Sequence, residues 1–250
     1  MPQVQRAVKD SGIYGGKVHK GIWWFKKNDC LKTPNSINLI GLARTGHHAV
    51  MEWIIRNNAP ALYYNNCVVN KHSKLIISCS NGDVINEANI ENSVPANIEI
   101  YDYMNVDVNR FRQMYPTDVT CLVVRDVYNF LASCFIRKIH SSRKIALWKN
   151  HVKCAIKATA VDLVINYNKW CGDNEYRNKI AETIGFKNNV GIYKKSKIGK
   201  SMFGNDNYNS RYKQLLDNGE YWKLIDKECE KLNEAYFGFK IDKDTKELIK

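Results

Sequence analysis

Several common features are missing from this chain. It contains eight cysteines but no C-x-x-C pair, so the spacing argues against a structural zinc site. No apolar run reaches the roughly 18 residues that a membrane helix needs, and residues 1–10 are polar and lack the apolar core of a signal peptide. We therefore expect a cytoplasmic chain that has no membrane partner, with reduced cysteines packed in or near the core.

The chain also has fewer acidic than basic side chains. The chain has 25 Asp and Glu residues against 38 Lys and Arg residues, which gives a formal net charge of +13. A positive field of this size concentrates anions near the surface, and charge alone does not choose between nucleic acid, an acidic membrane and phosphorylated nucleotides. Because the sequence contains no zinc finger, aromatic RNA-binding motif or other recognised nucleic-acid module, nucleic acid is not the expected partner.

Internal repeats and low-complexity tracts are absent, and 250 residues suit one domain with an extension. We expect an N-terminal arm over residues 1–36 and one domain over residues 37–250. In that domain, short apolar segments typical of buried strands alternate with segments whose apolar residues recur at helical spacing. The predicted strands are 37–42, 75–79, 98–103, 119–124 and 161–167. The predicted helices are 46–56, 108–115, 128–138, 145–160, 174–184 and the helical C-terminal part 208–237.

This alternation predicts an α/β fold of three layers, in which a central, mostly parallel sheet is covered by helices on both faces. In such sheets, ligands bind beyond the carboxyl ends of the strands. The residues that follow the predicted strands are therefore the first candidates for a functional site.

The first candidate is the segment GLARTGHH, residues 41–48, which follows a predicted strand and opens a predicted helix. Its glycine spacing is that of the phosphate-binding loop G-x-x-x-x-G-K-[ST], in which backbone N–H groups hold phosphate oxygens. His47 and His48 replace the Lys and the Ser/Thr, so the hydroxyl that would hold Mg²⁺ is missing. Arg44 and Thr45 add donors inside the loop. The segment predicts a metal-free site for a phosphate-like anion; a tight turn with a solvated arginine is the alternative.

The second candidate lies at the end of the predicted strand 119–124. Arg125 follows the strand directly, and Ser133 lies eight positions further on, in the next predicted helix. An arginine at a strand's carboxyl end points into the ligand crevice, and the serine can converge on the same anion. Asp126 is placed to cap the helix or to pair with a cation. The alternative is a salt-bridged arginine beside an ordinary helical serine.

Together, these two segments resemble the family of sulfotransferases that use 3′-phosphoadenosine-5′-phosphosulfate (PAPS). LARTGHHAV resembles the family's 5′-phosphosulfate loop, P-K-S-G-T-T-W, and VVRDVYNFLAS resembles its 3′-phosphate motif, R-D-P with a serine eight residues after the arginine. The resemblance implies a P-loop-like nucleotide-binding fold and a metal-independent transfer of sulfonate to an acceptor hydroxyl or amine. The product nucleotide would be 3′-phosphoadenosine-5′-phosphate (PAP). Ala43, Ala49 and Val127 depart from the family pattern, which has proline, tryptophan and proline there.

The resemblance also implies which residues bind the nucleotide. Arg44 matches the loop lysine, the next four residues match S-G-T-T, and Arg125 and Ser133 match the pair that holds the 3′-phosphate. A weaker match places Tyr167 near the adenine, and the weakest places Lys197, Gly199 and Lys200 in a late basic loop over the 3′-phosphate. The expected nucleotide-binding residues are Arg44, Thr45, Gly46, His47, His48, Arg125, Ser133, Tyr167, Lys197, Gly199 and Lys200.

The catalytic roles follow from the same resemblance. Arg44 is the first candidate to stabilise the charge that builds on the bridging oxygen of the leaving nucleotide, and His47 or His48 is the second. His72 is the first candidate for the general base, because histidine titrates in the right range. The competing candidates for the base are His48, Glu52, Asp83 and Glu99.

Other functions remain open from the sequence. A P-loop small-molecule kinase predicts Mg²⁺ dependence, and a nucleic-acid binder predicts steep salt dependence of its affinity. A degenerate family member would bind PAP or PAPS without catalysis. The acceptor could be acidic, a carbohydrate, a protein tyrosine, a lipid or a small metabolite, and the sequence predicts no oligomeric state.

Overall fold

The structure of the chain is a computed structural model that describes residues 21–25, 37–57, 67–69, 75–79, 98–99, 119–158, 161–189 and 210–249. Its elements, in chain order, are β1 (Gly21–Phe25), β2 (Ile37–Gly41), α1 (His47–Asn57), β3 (Cys67–Val69), β4 (Leu75–Cys79), β5 (Ile98–Glu99), β6 (Val119–Val124), α2 (Val127–Ile136), α3 (Ser142–Lys157), β7 (Leu163–Asn166), α4 (Tyr167–Gly172), α5 (Asn174–Ile184), a 3₁₀ helix (Arg211–Leu215), α6 (Gly219–Lys223), α7 (Lys227–Phe237), β8 (Lys240–Ile241) and β9 (Leu248–Ile249). The predicted helix 108–115 lies outside these ranges.

The central sheet has the strand order β5-β2-β6-β7, and all three pairings are parallel. β6 lies in the middle because its run of apolar, mostly β-branched residues is buried almost throughout. β2 and β6 pair over their full length, with Leu39 opposite Cys121, so their carboxyl ends lie side by side. The predicted parallel sheet is therefore confirmed.

Helices cover both faces of this sheet. On one face, Leu39, Cys121 and Ile165 pack in a buried cluster with residues of α1, α4 and α5. The alternate residues Ile40 and Leu122 point to the opposite face and are fully buried there, where α3 lies against β6. α2 and α3 form a second apolar cluster with α6 and α7. This arrangement confirms the predicted three-layer α/β fold.

A second sheet corrects one part of the predicted topology. Residues 75–79 form a strand, as predicted, but β4 pairs antiparallel with β1 and β3 in the order β1-β4-β3 and does not join the parallel sheet. Only residues 70–74 separate β3 from β4, a length that suits antiparallel neighbours, whereas parallel neighbours need a crossover of a dozen or more residues. The strand β1 lies within residues 1–36, and the division of the chain into an arm and a domain stays a prediction.

Short polar caps set the helix boundaries near the sheet's carboxyl edge. Asp126 caps α2, and its carboxylate accepts from the backbone N–H of Asn129 at 2.8 Å. The strand predicted over 161–167 ends at Asn166, whose side chain accepts from the N–H groups of the two residues after Tyr167. Tyr167 therefore begins a helix instead of ending a strand, because Asn is a strong N-cap residue.

The C-terminal helical part is divided into three pieces. Asn218 caps α6 and Asp226 caps α7, so the part predicted to be helical over 208–237 consists of a 3₁₀ helix and two α-helices in the described residues. Earlier in the chain, α5 ends at Gly185, whose φ of 95° is the left-handed conformation expected after a helix. No helix in the described part of the chain is both long enough and apolar enough to cross a membrane.

Candidate functional site

The loop between β2 and α1 folds around one of its own carbonyl groups. The carbonyl oxygen of Leu42 accepts from the backbone N–H of Thr45 at 3.0 Å and from its hydroxyl at 2.8 Å. The Nδ1 of His47 donates to the same oxygen at 3.1 Å. Thr45 and His47 are both 1% exposed, so these side chains hold the shape of the loop from within. Their contact with a nucleotide stays a prediction.

Two residues of this loop have left-handed backbone conformations. Arg44 has a φ of 82° and Gly46 a φ of 91°. A non-glycine residue in this region costs about 1–2 kcal/mol, so the fold must hold Arg44 in place against that strain. At Gly46, a Cβ atom would lie 2.2 Å from the ring of Tyr167. The loop therefore requires glycine at position 46 for both its backbone angle and its space.

The side chain of Arg44 joins the loop to the second candidate segment. Its Nε donates to the hydroxyl oxygen of Ser133 on α2 at 3.0 Å. The Nη1 of Arg211, from the 3₁₀ helix, donates to the same oxygen at 3.0 Å. Arg125, at the end of β6, donates from Nη1 to the backbone carbonyl of Arg44 at 3.3 Å. The two segments that the sequence indicated thus meet at one edge of the sheet.

Four arginines, which we call the arginine cluster, converge here: Arg44, Arg125, Arg137 and Arg211. Burial lowers the pKa of Arg44, and the positive charges of Arg137, Arg211 and Arg125 lower it further. The guanidinium group nevertheless stays charged at neutral pH. Like charges held this close repel one another, and a ligand with several negative charges relieves that repulsion. The donor set fits phosphate and sulfate groups.

Contacts with Trp148 and Tyr167 hold Arg125 in place, and the adjacent Asp126 binds other groups. It is 2% exposed, its carbonyl accepts from the Nε1 of Trp148 at 2.8 Å, and its guanidinium carbon lies 5.3 Å from the ring centroid of Tyr167. The carboxylate of Asp126 accepts from the side chains of Asn129 and Asn168 at 3.0 Å and 2.9 Å. Asp126 therefore acts as a helix cap, the first of the two roles predicted for it.

Tyr167 lies beneath the loop. It is fully buried, and its ring stacks on that of Trp170 with the centroids 5.6 Å apart. With Gly46 above it and Arg125 beside it, the ring supports the arginine cluster from inside the protein. Its predicted place near an adenine stays a prediction.

Two members of the arginine cluster were not among the predicted site residues. Arg137 lies four residues after Ser133 on α2, so helical spacing could have placed it on the same face. No local spacing pairs Arg211 with Ser133, because the two residues are 78 positions apart in the sequence. The backbone N–H of Arg211 donates to the side chain of Asn129 at 2.8 Å, which fixes the start of the 3₁₀ helix against α2. The predicted residues His72, Lys197, Gly199 and Lys200 lie outside the described residues.

Comparisons with known proteins add little to this geometry. No family model matches the chain, and no curated protein gives a significant match. Among solved structures, the chain is similar to a sulfotransferase from Alicyclobacillus acidocaldarius, with 10% sequence identity and a TM-score of 0.45 over 82% of this chain and 96% of that chain. A likeness at this level assigns neither family nor function, so the functional argument rests on the arginine cluster.

Three histidines lie at or behind the loop. His48 is partly buried, and its ring centroid lies 4.1 Å from that of His47. His151, on α3, is 6% exposed, and its Nδ1 has no hydrogen-bond partner among the described residues. Burial, together with the smaller effect of the nearby His47, lowers the pKa of His151 to about 4. His151 is therefore neutral in the folded protein at neutral pH.

Protonation of His151 should destabilise the fold in acid. The folded pKa of about 4 lies below the ordinary value of 6.5, so the unfolded chain binds the proton more tightly. The associated stability is complete above pH 6.5 and is lost as the pH falls towards 4. Between pH 7 and pH 4.5 this group should contribute a loss of about 2 kcal/mol in the free energy of unfolding.

Urea unfolding at the two pH values, with wild type and His151→Leu, measures this contribution. The variant removes the titrating group and keeps an apolar side chain of similar size, so it should lose about 2 kcal/mol less than wild type on acidification. Equal losses in the two proteins would show that His151 is not the buried group that titrates.

Proposed function

We propose that the chain is a sulfotransferase that takes sulfonate from PAPS and transfers it to an acceptor hydroxyl or amine. The observation that carries this proposal is the contact of Arg44 and Arg211 with the hydroxyl of Ser133. This contact joins the phosphate-type loop after β2 to α2 and the 3₁₀ helix, and the bond from Arg125 to the carbonyl of Arg44 joins the loop to the end of β6.

The chemistry of the donor set supports PAPS as the donor. PAPS carries a phosphate at its 3′ position and a phosphosulfate at its 5′ position, so it needs two anion sites on one surface. The loop and the N-terminus of α1 suit one of these groups, because helix N-termini favour anions. Arg125, Ser133 and Arg211 suit the other, since guanidinium groups donate to phosphate through two N–H groups at once. Because β2 and β6 are neighbours, both sites open at the same edge of the sheet.

The proposed reaction is an in-line displacement at sulfur. The acceptor oxygen or nitrogen forms a bond to the sulfonate sulfur while the bond from sulfur to the bridging phosphate oxygen breaks. PAP leaves with the bonding electron pair, and the acceptor's proton passes to a base. Arg44 would stabilise the charge on the bridging oxygen, because it belongs to the loop after β2 and matches the lysine of the family's 5′-phosphosulfate loop.

The general base stays a prediction. Among the described residues, His48 is the candidate that the loop itself supplies, and it is partly buried beside His47. His47 is less suited, since its Nδ1 is engaged with the carbonyl of Leu42 and it is 1% exposed. His72 lies outside the described residues and is proposed from the sequence alone.

Calorimetric titration of the full chain with PAP in the presence of EDTA tests the proposal. We expect binding in the micromolar range without metal, because the arginine cluster takes the place of the magnesium ion. ATP with Mg²⁺ serves as the control ligand and should bind more weakly, since His48 stands where a nucleotide kinase has its metal-binding hydroxyl. Tighter binding of ATP with Mg²⁺ than of PAP would support a kinase and overturn the proposal. If the chain binds PAP but does not turn over PAPS, it is a nucleotide-binding protein and the proposed enzymatic activity is wrong.

A further inference from the structure

The segment over α2 and α3 has an unusual distribution of charge. Residues 127–161 contain seven Lys and Arg residues and no Asp or Glu. Lys149 and Lys153 form ion pairs with carboxylates of α7 and its cap. The exposed part of this charge is concentrated in residues 136–144, IRKIHSSRK, which we call the basic turn.

The basic turn has a defined shape. The backbone N–H groups of Lys138 and Ile139 donate to carbonyls of the last turn of α2 at 2.9 Å and 3.0 Å. The ring of His140 stacks on that of Phe135, with the centroids 5.0 Å apart. The hydroxyl of Ser141 then caps α3 by accepting from the N–H of Lys144 at 3.2 Å. Because these bonds fix the backbone, the side chains of the turn are presented to a partner at little entropic cost.

Apolar side chains lie exposed among these cations. Ile136 is 47% exposed and Ile139 is 39% exposed, and Arg137, Lys138 and Arg143 are exposed around them. A single exposed isoleucine is common on protein surfaces. Two within one short cationic turn form a surface that is both apolar and positively charged, and the exposure of its apolar part to water is unfavourable. Such a surface complements a ligand that carries both carboxylates and an apolar side chain.

The basic turn is continuous with the arginine cluster. Arg137 is the C-cap residue of α2 and follows Ser133 by four positions, about one helical turn. Arg137 is also the charged neighbour that most strongly lowers the pKa of Arg44. A ligand bound along the basic turn would therefore end beside the loop that the proposed function assigns to the sulfonate donor.

We propose that the basic turn binds an acidic polypeptide segment that supplies the acceptor hydroxyl, an inference that rests on the proposed function. Carboxylates of the segment would pair with Lys138 and Arg143, and an apolar side chain would cover Ile136 and Ile139. Sugars and nucleic-acid bases stack on aromatic rings. The exposed large hydrophobic residues of the described chain are all aliphatic: Ile136, Ile139, Ile156, Leu248 and Ile249. The surface therefore favours a peptide over a polysaccharide or a single-stranded nucleic acid.

Fluorescence anisotropy with the full chain and a short labelled peptide, rich in glutamate and containing one leucine and one tyrosine, tests this site. The variant Lys138→Glu/Arg143→Glu should weaken peptide binding about tenfold, because two favourable charge contacts become repulsive. The matched control, Lys187→Glu/Lys231→Glu, changes the net charge by the same amount at two exposed lysines outside the basic turn. The control should weaken binding by no more than about threefold.

A second variant separates a peptide site from a general polyanion site. Ile136→Ser/Ile139→Ser should weaken peptide binding about fivefold and leave the affinity for a sulfated polysaccharide fragment unchanged, because only the peptide offers an apolar side chain. Equal losses in the two charge variants, or no loss on the isoleucine change, would overturn the acidic-peptide site. PAP is titrated separately: if PAP binds and the peptide does not, only this inference fails, and if PAP does not bind, the proposed function itself fails.

Discussion

Replacement of Arg125 by lysine is expected to weaken the binding of PAP about 100-fold. Arg125 is 2% exposed, and its Nη1 already donates to the carbonyl of Arg44. A guanidinium group can keep that bond while its other N–H groups face a phosphate, whereas a single ammonium group cannot do both. Hydrogen bonds to charged groups contribute about 1.5–3 kcal/mol each, so the loss of one or two of them gives an effect of this size. Calorimetric titration with PAP measures it.

Arg177→Lys is the matched control for this change. Arg177 is a partly buried arginine whose Nη1, like that of Arg125, donates to a backbone carbonyl, that of Trp170 at 2.7 Å. It lies on α5 and is not part of the arginine cluster. Its replacement should leave the affinity for PAP within about twofold of wild type. If Arg125→Lys folds normally and binds PAP as wild type does, Arg125 does not hold the nucleotide.

Replacement of Gly46 by alanine is expected to destabilise the protein by about 3 kcal/mol. The backbone φ of 91° is unfavourable for alanine by about 1–2 kcal/mol. The added Cβ would also lie 2.2 Å from the buried ring of Tyr167, and overpacking of this kind costs a further 1–3 kcal/mol or so. Urea unfolding followed by circular dichroism measures the free energy of unfolding, and binding of PAP should be lost with the loop.

Gly185→Ala isolates the contribution of the ring. Gly185 has a φ of 95°, close to that of Gly46, but a Cβ there would meet nothing within 4 Å. This variant should lose only the backbone part, about 1 kcal/mol. The excess loss in Gly46→Ala then reports the clash, and Tyr167→Ala combined with Gly46→Ala should lose less than the two single changes together. If the losses in the free energy of unfolding are additive, the Tyr167 ring does not clash with a Cβ atom at position 46.

The sequence predicted the parts of the fold that depend on local pattern. The apolar run of β6, the cap at Asp126 and the glycine that ends α5 are all signals contained within a few residues, and the structure has each of them. Strand pairing is different. An apolar run such as residues 75–79 indicates a strand but not its neighbours, which depend on the whole chain. The sequence therefore predicts the strand at residues 75–79 but not the antiparallel sheet in which it lies.

The candidate site divides in the same way. The loop at residues 41–48 and the pair Arg125 and Ser133 could be found from spacing, because each lies where a strand gives way to a helix. The contact of Arg44 with Ser133 spans 89 positions, and no local pattern encodes it. The contact of Arg211 with Ser133 spans 78 positions, so no local pattern encodes it either.

We propose that one crevice, formed where the loop after β2 meets the end of β6, holds both anionic groups of a single nucleotide. The most direct measurement extends the metal-free titration to three ligands: PAP, adenosine 5′-monophosphate and adenosine 3′-monophosphate. We predict that PAP binds about 100-fold more tightly than either monophosphate, because only PAP reaches both anion sites at once. Equal affinity for PAP and one of the monophosphates would contradict the account.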